Sequence, residues 1–467
     1  MVTAMTDHAQ LASWDRDYFW HAFTQMEEYE PLIIDHAEGV WLTDTEGNRF
    51  LDGISSMWCN LLGHRHPGID AAIRDQLDKV AHSTSLGMSN IPAIELAKRL
   101  ASLAPGDLQH VFYASDGSSA VEIALKTAFQ YWQQCETPRP EKTQYIALSQ
   151  AYHGDTLGSA SVGGIERFNG IFGPLLFDVT HLPTPDPRRL PENIEPNQAA
   201  EYYLAHLEKV LAEKHKQIAA VVLEPLIQAA AGMVFHPPGY LKGVRELTRQ
   251  YNVLLITDEI VTGFGRTGQM FACDHEEVVP DILCLGKSLS GGYLPLAAAI
   301  THPKIYSAFL GPATSGRSLM HGHTFGGNPL AAAAALATLK AIEDEQILAI
   351  LPDKAEQLAG HLAKIEQLPH VSATRQKGLI AAIELTSAPD DNRPFPAEMR
   401  VGARVCQETL SRGVMLRPLR DTIVIIPPLS ISAEEIDLLG NVLYESIDIA
   451  TQQAASTLTS CPGSTVS

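Results

Sequence analysis

The 467-residue sequence is short of basic residues. It has 34 Lys and Arg against 54 Asp and Glu, which gives a formal net charge of −20 at pH 7. Nucleic acids and anionic membrane surfaces are bound mainly through Lys and Arg, so this charge disfavours both kinds of partner. We therefore expect small-molecule substrates, no nucleic acid and no membrane.

Sequence patterns for disulfides, zinc, secretion and membrane insertion are also missing. The six cysteines, at positions 59, 135, 273, 284, 406 and 461, include no Cys-x-x-Cys pair, so neither a disulfide framework nor zinc ligation is indicated. The first 20 residues lack the basic start and following apolar stretch of a secretory signal. The sequence also contains no run of about 18 apolar residues, the length needed to span a bilayer. We expect reduced thiols and a cytoplasmic protein.

Two patterns that suggest other cofactors do not fit their context. The glycines at 263, 265 and 268 match G-x-G-x-x-G, but they do not open a helix directly after a strand, so we interpret them as a structural loop. The histidines His153, His321 and His323 match no familiar ligand spacing. We expect neither a dinucleotide nor a metal.

Amphipathic helices alternate with short apolar runs between residues 68 and 292, which is typical of βαβ units and a mostly parallel sheet. The division expected is an N-terminal segment (1–67) packing with a small α+β domain (345–451), a large α/β domain (68–344), and a small, polar, disordered tail (452–467). The predicted strands of the large domain lie at 110–114, 144–148, 219–223, 253–256 and 282–285.

A lysine and an aspartate follow two of these strands. Asp258 ends one apolar run and Lys287 follows another, 287 − 258 = 29 residues later, which leaves room for one crossover. If the strands are parallel, both side chains lie at the edge where open α/β sheets bind ligands. Pyridoxal phosphate needs such a pair, a lysine for its aldehyde and an acid for its ring nitrogen. A helix cap and an exposed lysine are the alternatives.

Four further residues could contact this cofactor or the substrate. Gly117 and Ser118 stand where a strand gives way to a helix, so they form either an anion site or a plain helix cap. Tyr152 follows another strand and could stack on a flat ring or lie half-buried at the sheet edge. Arg417 could bind a substrate carboxylate or be an exposed strand-end residue.

Taken together, these residues make the chain resemble the class III pyridoxal-phosphate aminotransferases of fold type I, from about residue 20 to 443. Within that class it is most similar to the members that aminate 8-amino-7-oxononanoate in biotin synthesis. The motifs that carry the resemblance are Trp20-His-Ala-Phe-Thr-Gln-Met26, Asp52-Gly-Ile-Ser-Ser-Met-Trp58, Tyr152-His-Gly-Asp155, Asp258-Glu-Ile-Val-Thr-Gly-Phe-Gly-Arg-Thr-Gly268, His321-Gly-His-Thr-Phe325 and Arg417-Pro.

The resemblance implies a large domain with a seven-stranded-type sheet, a smaller α+β domain and a homodimer with shared active sites. It implies catalytic roles for Lys287 and Asp258, with Lys287 as the Schiff-base lysine. The implied cofactor contacts are Gly117, Ser118, Tyr152, Asp258 and Lys287, with His323 and Thr324 reaching the phosphate of the other subunit's cofactor. The implied substrate contacts are Met57, Trp58, Tyr152, Gly322 and Arg417.

The amino donor is less well indicated than the acceptor. Phe23, Met57 and Val424 replace aromatic residues that are common in the members using S-adenosyl-L-methionine, and the pattern is similar to variants that use L-lysine. A broad ω-amine:pyruvate aminotransferase of the same class is the alternative enzyme. A non-catalytic binding module of the same fold is the alternative outside enzymes.

Overall fold

The computed structural model describes residues 7–388 and 393–460. The α-helices are α1 (His8–Tyr18), α2 (Ser55–Trp58), α3 (Pro67–Leu77), α4 (Ile91–Leu103), α5 (Gly117–Gln134), α6 (Leu157–Val162), α7 (Glu166–Asn169), α8 (Ala199–Lys214), α9 (Tyr240–Gln250), α10 (Pro303–Ser307), α11 (Pro329–Asp344), α12 (Ile347–Ile365), α13 (Val401–Ser411) and α14 (Ala433–Ser460).

The strands alternate with these helices in the first two thirds of the chain. They are β1 (Ile34–Glu38), β2 (Trp41–Asp44), β3 (Arg49–Asp52), β4 (His110–Ala114), β5 (Gln144–Leu148), β6 (Thr180–Leu182), β7 (Ile218–Leu223), β8 (Ile227–Gln228), β9 (Val234–Phe235), β10 (Leu254–Asp258), β11 (Ile282–Leu285), β12 (Ala297–Thr301), β13 (Val371–Lys377), β14 (Ile380–Leu385), β15 (Val414–Met415), β16 (Arg417–Leu419) and β17 (Thr422–Ile425).

A seven-stranded sheet forms the centre of the large α/β region, with the strand order β4-β12-β11-β10-β7-β5-β6. All neighbouring strands are parallel except at β12, which is antiparallel to both β4 and β11. All six residues of β7 are buried, as expected for a strand covered on both faces of a sheet. The predicted α/β fold with a mostly parallel seven-stranded sheet is confirmed.

The last third of the chain forms a smaller α+β unit. An antiparallel sheet of order β13-β14-β17-β16 contacts helices α12 and α13, and α14 packs on both helices. A second small sheet, β1-β2-β3-β15, joins the N-terminal strands to β15 from the C-terminal part. This pairing supports the prediction that the N-terminal segment packs with the small domain, while the domain boundaries stay a prediction.

The predicted disordered tail begins too early. Helix α14 continues to Ser460, so a tail starting at residue 452 is wrong, and residues 461–467 lie outside the described residues. Ala450, Thr451 and Ala454 are buried in the small domain. Small side chains in this stretch allow close packing, which their low hydrophobicity does not reveal.

Two sequence expectations concern cysteines and membrane spans. The five cysteines that the structure describes are free thiols, and Cys461 lies outside the described residues. Among residues 7–388 and 393–460, no helix has the length and apolar character needed to cross a bilayer.

Candidate active site

A cavity of about 490 Å³ opens at the carboxyl ends of β10 and β11. These strands are parallel neighbours, and Asp258 at the end of β10 is paired with Cys284 of β11, so the carboxylate and the lysine after β11 meet at one edge. Six of the residues predicted from sequence line this single cavity. They are Trp58, Gly117, Ser118, Tyr152, Asp258 and Lys287.

Lys287 begins a short 3-10 turn one residue after β11, with φ at 41°. Its Nζ atom is 5.4 Å from the ring centroid of Trp58. Burial lowers the pKa of Lys287 below its usual value, although the charges of Asp258 and Glu224 oppose this effect. A lysine with a lowered pKa has more of its amine in the neutral, nucleophilic form.

Asp258 is buried and is held by two hydrogen bonds. One carboxylate oxygen accepts from Nδ1 of His153 at 2.8 Å, and the other accepts from the amide of Ile260 at 3.0 Å. Burial lowers the pKa of His153, but the hydrogen bond and the charges of Asp258 and Glu224 outweigh burial and raise the pKa. The hydrogen bond from His153 fixes the orientation of the Asp258 side chain.

Glu224 is a second buried carboxyl group at the cavity, and sequence analysis gave it no role. It follows β7 and accepts hydrogen bonds from the amides of Tyr152 at 3.1 Å and Ala229 at 2.8 Å. Burial raises the pKa of Glu224 to about 7. Its bond to the Tyr152 amide fixes the backbone beside Tyr152, whose hydroxyl donates to Asp155 at 2.7 Å.

The N-terminus of α5 faces the cavity and is suited to an anion. Asp116 caps the helix by accepting from the amide of Ser119 at 2.9 Å. The hydroxyl of Ser118 lies 2.8 Å from that of Thr156. A side chain at Gly117 would place its Cβ only 2.7 Å from the Ile260 side chain, so glycine fits here without displacing Ile260. Free amides and the helix dipole favour a phosphate at such a position.

Four successive residues from Ser55 to Trp58 have positive φ angles, 50°, 46°, 72° and 68°, so α2 is a single left-handed turn. Side chains disfavour this conformation, but Asp52 holds it by accepting from the amide and hydroxyl of Ser56 at 2.9 and 2.7 Å. The Ser55 hydroxyl also donates to the carbonyl of Ile426 at 2.7 Å. The turn places Trp58 in the cavity wall.

The glycine-rich motif at 263–268 forms turns and opens no helix, so the predicted structural loop is confirmed. It carries the fully buried Arg266, a role that the sequence did not reveal. The guanidinium donates to the carbonyls of Pro427 at 2.7 Å and Asn60 at 2.9 Å, and to the hydroxyls of Ser55 at 3.1 Å and Ser288 at 3.3 Å. Arg266 therefore connects the N-terminal segment at Ser55 and Asn60 and the C-terminal segment at Pro427 to the 3-10 turn that begins at Lys287.

The other predicted site residues lie outside the cavity of their own chain. Gly322, His323 and Thr324 precede α11 in the chain, and each is partly or fully exposed. Met57 is 38% exposed beside Trp58, and Arg417 is exposed at the start of β16. None of these five residues lines the cavity that contains Lys287.

Residues 23–447 match the family model of the class III aminotransferases. The chain belongs to this family. It is 48% identical to adenosylmethionine-8-amino-7-oxononanoate aminotransferase of Nitratidesulfovibrio vulgaris, over 96% of this chain and 83% of the relative. The solved structure of the Methanocaldococcus jannaschii protein of that name is 42% identical, with a TM-score of 0.89 over 95% of this chain and 99% of the other.

A more distant relative carries a cofactor. The omega transaminase of Pseudomonas jessenii, solved in complex with PMP, is 29% identical, with a TM-score of 0.91 over 95% of this chain and 99% of the other. This class III aminotransferase is thus an enzyme that depends on pyridoxal phosphate. The cavity fits that cofactor, because it combines an amine, a buried carboxylate and a helix N-terminus open to a phosphate.

Proposed function

We propose that this aminotransferase converts 8-amino-7-oxononanoate to 7,8-diaminononanoate, a step of biotin synthesis. The observation that carries the proposal is that sequence identity to this chain differs among relatives that share its fold. Relatives named for 8-amino-7-oxononanoate share up to 48% of residues over nearly the whole chain, whereas the omega transaminase with bound PMP shares 29%. A shared fold does not choose the substrate, but similarity at this level favours shared chemistry.

The residues of the cavity suit a transamination that proceeds in two halves. Pyridoxal phosphate supplies an aldehyde for covalent attachment and a ring that accepts electrons. Lys287 would hold the cofactor through its amine, and its free amine would move a proton as general acid and base. Asp258 would face the ring nitrogen as its acid partner, and His153 orients Asp258 through its hydrogen bond of 2.8 Å. Gly117 and Ser118 would bind the phosphate, and Tyr152, which lines the same cavity, would contact the ring.

The proposal includes a homodimer in which each subunit completes the other's site. Gly322, His323 and Thr324 would reach the partner's cavity, with His323 and Thr324 at the phosphate and Gly322 at the substrate. Their exposure supports this assignment. So do exposed apolar side chains nearby, since Met320 is 84% exposed and Phe325 is 58% exposed, and large exposed apolar patches mark protein interfaces.

Arg417 would bind the carboxylate of the oxononanoate bidentately. Met57 and Trp58 would shape the substrate space together with Tyr152. A row of aromatic rings supports a substrate path on this side, because Phe168 lies 5.7 Å from Tyr152 and 5.4 Å from Phe23 between ring centroids. The amino donor is S-adenosyl-L-methionine or L-lysine, and the protein acts in the cytoplasm, as its free thiols suggest.

The test is mass-spectrometric detection of 7,8-diaminononanoate after the cofactor-loaded enzyme is incubated with 8-amino-7-oxononanoate. S-adenosyl-L-methionine and L-lysine are supplied in separate reactions, and Lys287→Ala is the inactive control. Product with one donor supports the proposal and identifies that donor. No product with either donor, together with rapid turnover of simple amines and pyruvate, would assign the enzyme to the broad ω-amine group instead.

A further inference from the structure

Helix α5 carries a polar stripe that the proposed chemistry does not use. Lys126, Gln130 and Gln134 are spaced four residues apart, so they lie on one face of the helix. This face holds the backbone of residues 317–320, which have no regular secondary structure apart from bends. The donated hydrogen bonds are Gln134 Nε2 to Arg317 O at 2.8 Å, Gln130 Nε2 to Arg317 O at 3.1 Å and Ser318 O at 3.2 Å, and Lys126 Nζ to Met320 O at 3.5 Å.

The stripe continues into the two histidines of the predicted dimer segment. Nζ of Lys126 is 3.1 Å from Nδ1 of His321, and Nε2 of His321 is 3.1 Å from Nε2 of His323. An ammonium group can only donate, so Nδ1 of His321 accepts and the proton of this ring lies on Nε2. That proton is donated to His323, whose own proton therefore lies on Nδ1. Lys126 thus sets the tautomer of both rings.

Thr324 lies in the sequence between two residues whose rings have contacts within the chain. His323 is held by the chain of hydrogen bonds from Lys126, and Phe325 packs on His82 with ring centroids 4.7 Å apart. A segment held at both sides loses less conformational entropy when it binds a ligand than a free loop does. Burial, Lys126 and His323 lower the pKa of His321, although Glu122 opposes them, which agrees with the neutral ring that this arrangement needs.

We infer that Lys126 is a positioning residue for the partner's cofactor phosphate, acting through His321 and His323 on Thr324. The inference depends on the shared-site dimer of the proposed function. Helix α5 would then serve two sites. Its N-terminus at Gly117 faces its own cavity, while Lys126, about 14 Å further along the axis at 1.5 Å per residue, fixes the segment that reaches the other.

The first test is cofactor affinity, measured by titrating the cofactor-free dimer with pyridoxal phosphate and following visible absorbance. Lys126→Met removes the donor and should raise the dissociation constant about tenfold, the effect of about one lost hydrogen bond. Lys126→Arg keeps a donor and should restore affinity. Lys209→Met, on the exposed face of α8, is the matched control and should bind normally.

Mixed dimers show which subunit the segment serves. In a dimer of one Lys287→Ala and one Lys126→Met subunit, only the Lys126→Met subunit can attach the cofactor, and its partner's segment is intact. Affinity should then be normal. When both substitutions are in one subunit beside an unaltered one, the attaching site receives the altered segment and should bind weakly.

Unchanged affinity in Lys126→Met would overturn the inference, and so would weak binding in the first mixed dimer, since the role would then lie within one chain. These measurements need no substrate, so they do not depend on the identity of the acceptor. Analytical ultracentrifugation shows separately whether the protein is a monomer or a dimer. A monomer with full cofactor affinity would refute the shared-site dimer itself, whereas a dimer with normal affinity in Lys126→Met refutes only the role of Lys126.

Discussion

Glu224 makes the stability of the cofactor-free enzyme depend on pH. This residue is 4% exposed, and burial raises its pKa from 4.5 to about 7. In the unfolded chain the same carboxyl group ionises near pH 4.5. The folded state therefore favours the protonated form. The stabilisation that this preference gives is complete below pH 4.5 and is lost as the pH rises through 7.

The size of the effect follows from the shift. One pKa unit is worth about 1.4 kcal/mol, so a rise from 4.5 to about 7 corresponds to about 3 kcal/mol. Part of the loss has already occurred at pH 5, and we expect Glu224 to lower the free energy of unfolding by about 2.5 kcal/mol between pH 5 and 8. His153 acts in the same direction, because its pKa is raised as well.

The assay is urea denaturation of the cofactor-free enzyme at pH 5, 6, 7 and 8, with Glu224→Gln beside the unaltered protein. The glutamine replaces one acceptor oxygen by an NH₂ group, so the hydrogen bond to either Tyr152 or Ala229 is lost at every pH. The readout is the slope against pH, which should be shallower in the variant by about 2.5 kcal/mol over the range. Glu246→Gln, on the exposed part of α9, controls for the loss of a carboxyl group. Equal slopes for Glu224→Gln and the unaltered enzyme would refute the reasoning.

Three further substitutions test separate parts of the site. Lys287→Ala should remove the visible absorbance of the covalently held cofactor and lower kcat by about 10²- to 10⁴-fold, and a yellow, fully active variant would contradict its role. Arg417→Ala should lower kcat/KM for the carboxylate acceptor by roughly 10- to 100-fold, with donor kinetics less affected; an unchanged acceptor dependence would remove Arg417 from the site. Arg266→Met leaves the carbonyls of Asn60 and Pro427 without this donor, which costs about 1–3 kcal/mol for each carbonyl. Removing the buried charge offsets part of this cost. The urea midpoint should still fall further than in Arg266→Lys, which keeps a donor. An undiminished midpoint would contradict the structural role of Arg266.

The sequence predicted most of the central sheet but missed β6 and β12. Strands such as β7 are continuous apolar runs, which identify a sheet buried on both faces. β12 begins with three alanines, which are better helix formers than strand formers, and its strand form depends on pairing with β4 and β11. β6 has three residues, too few for a pattern to appear.

The reactive side chains of the site were easier to predict than the buried polar residues that hold them in place. Lys287 and Asp258 follow apolar runs at a spacing that topology explains. His153, Glu224 and Arg266 were assigned no supporting role, because their partners are remote in sequence. The bond from His153 to Asp258 joins residues 105 positions apart, and Arg266 reaches Asn60 across 206 positions. Local patterns carry no information about such pairs, so buried polar contacts require the three-dimensional structure.

The left-handed turn at Ser55 also constrains the order in which parts of the enzyme can fold during synthesis. Its hydroxyl binds the carbonyl of Ile426, 371 positions later in the chain, and Arg266 joins the same turn to Pro427. During synthesis, the wall that holds Trp58 therefore lacks its supports until almost all of the polypeptide has left the ribosome. The sheet can form earlier, since contacts between nearby segments form faster than distant ones. A nascent chain would carry Lys287 and the N-terminus of α5 before the cavity wall at Trp58 has its supports, so this wall would be the last part of the cavity to form.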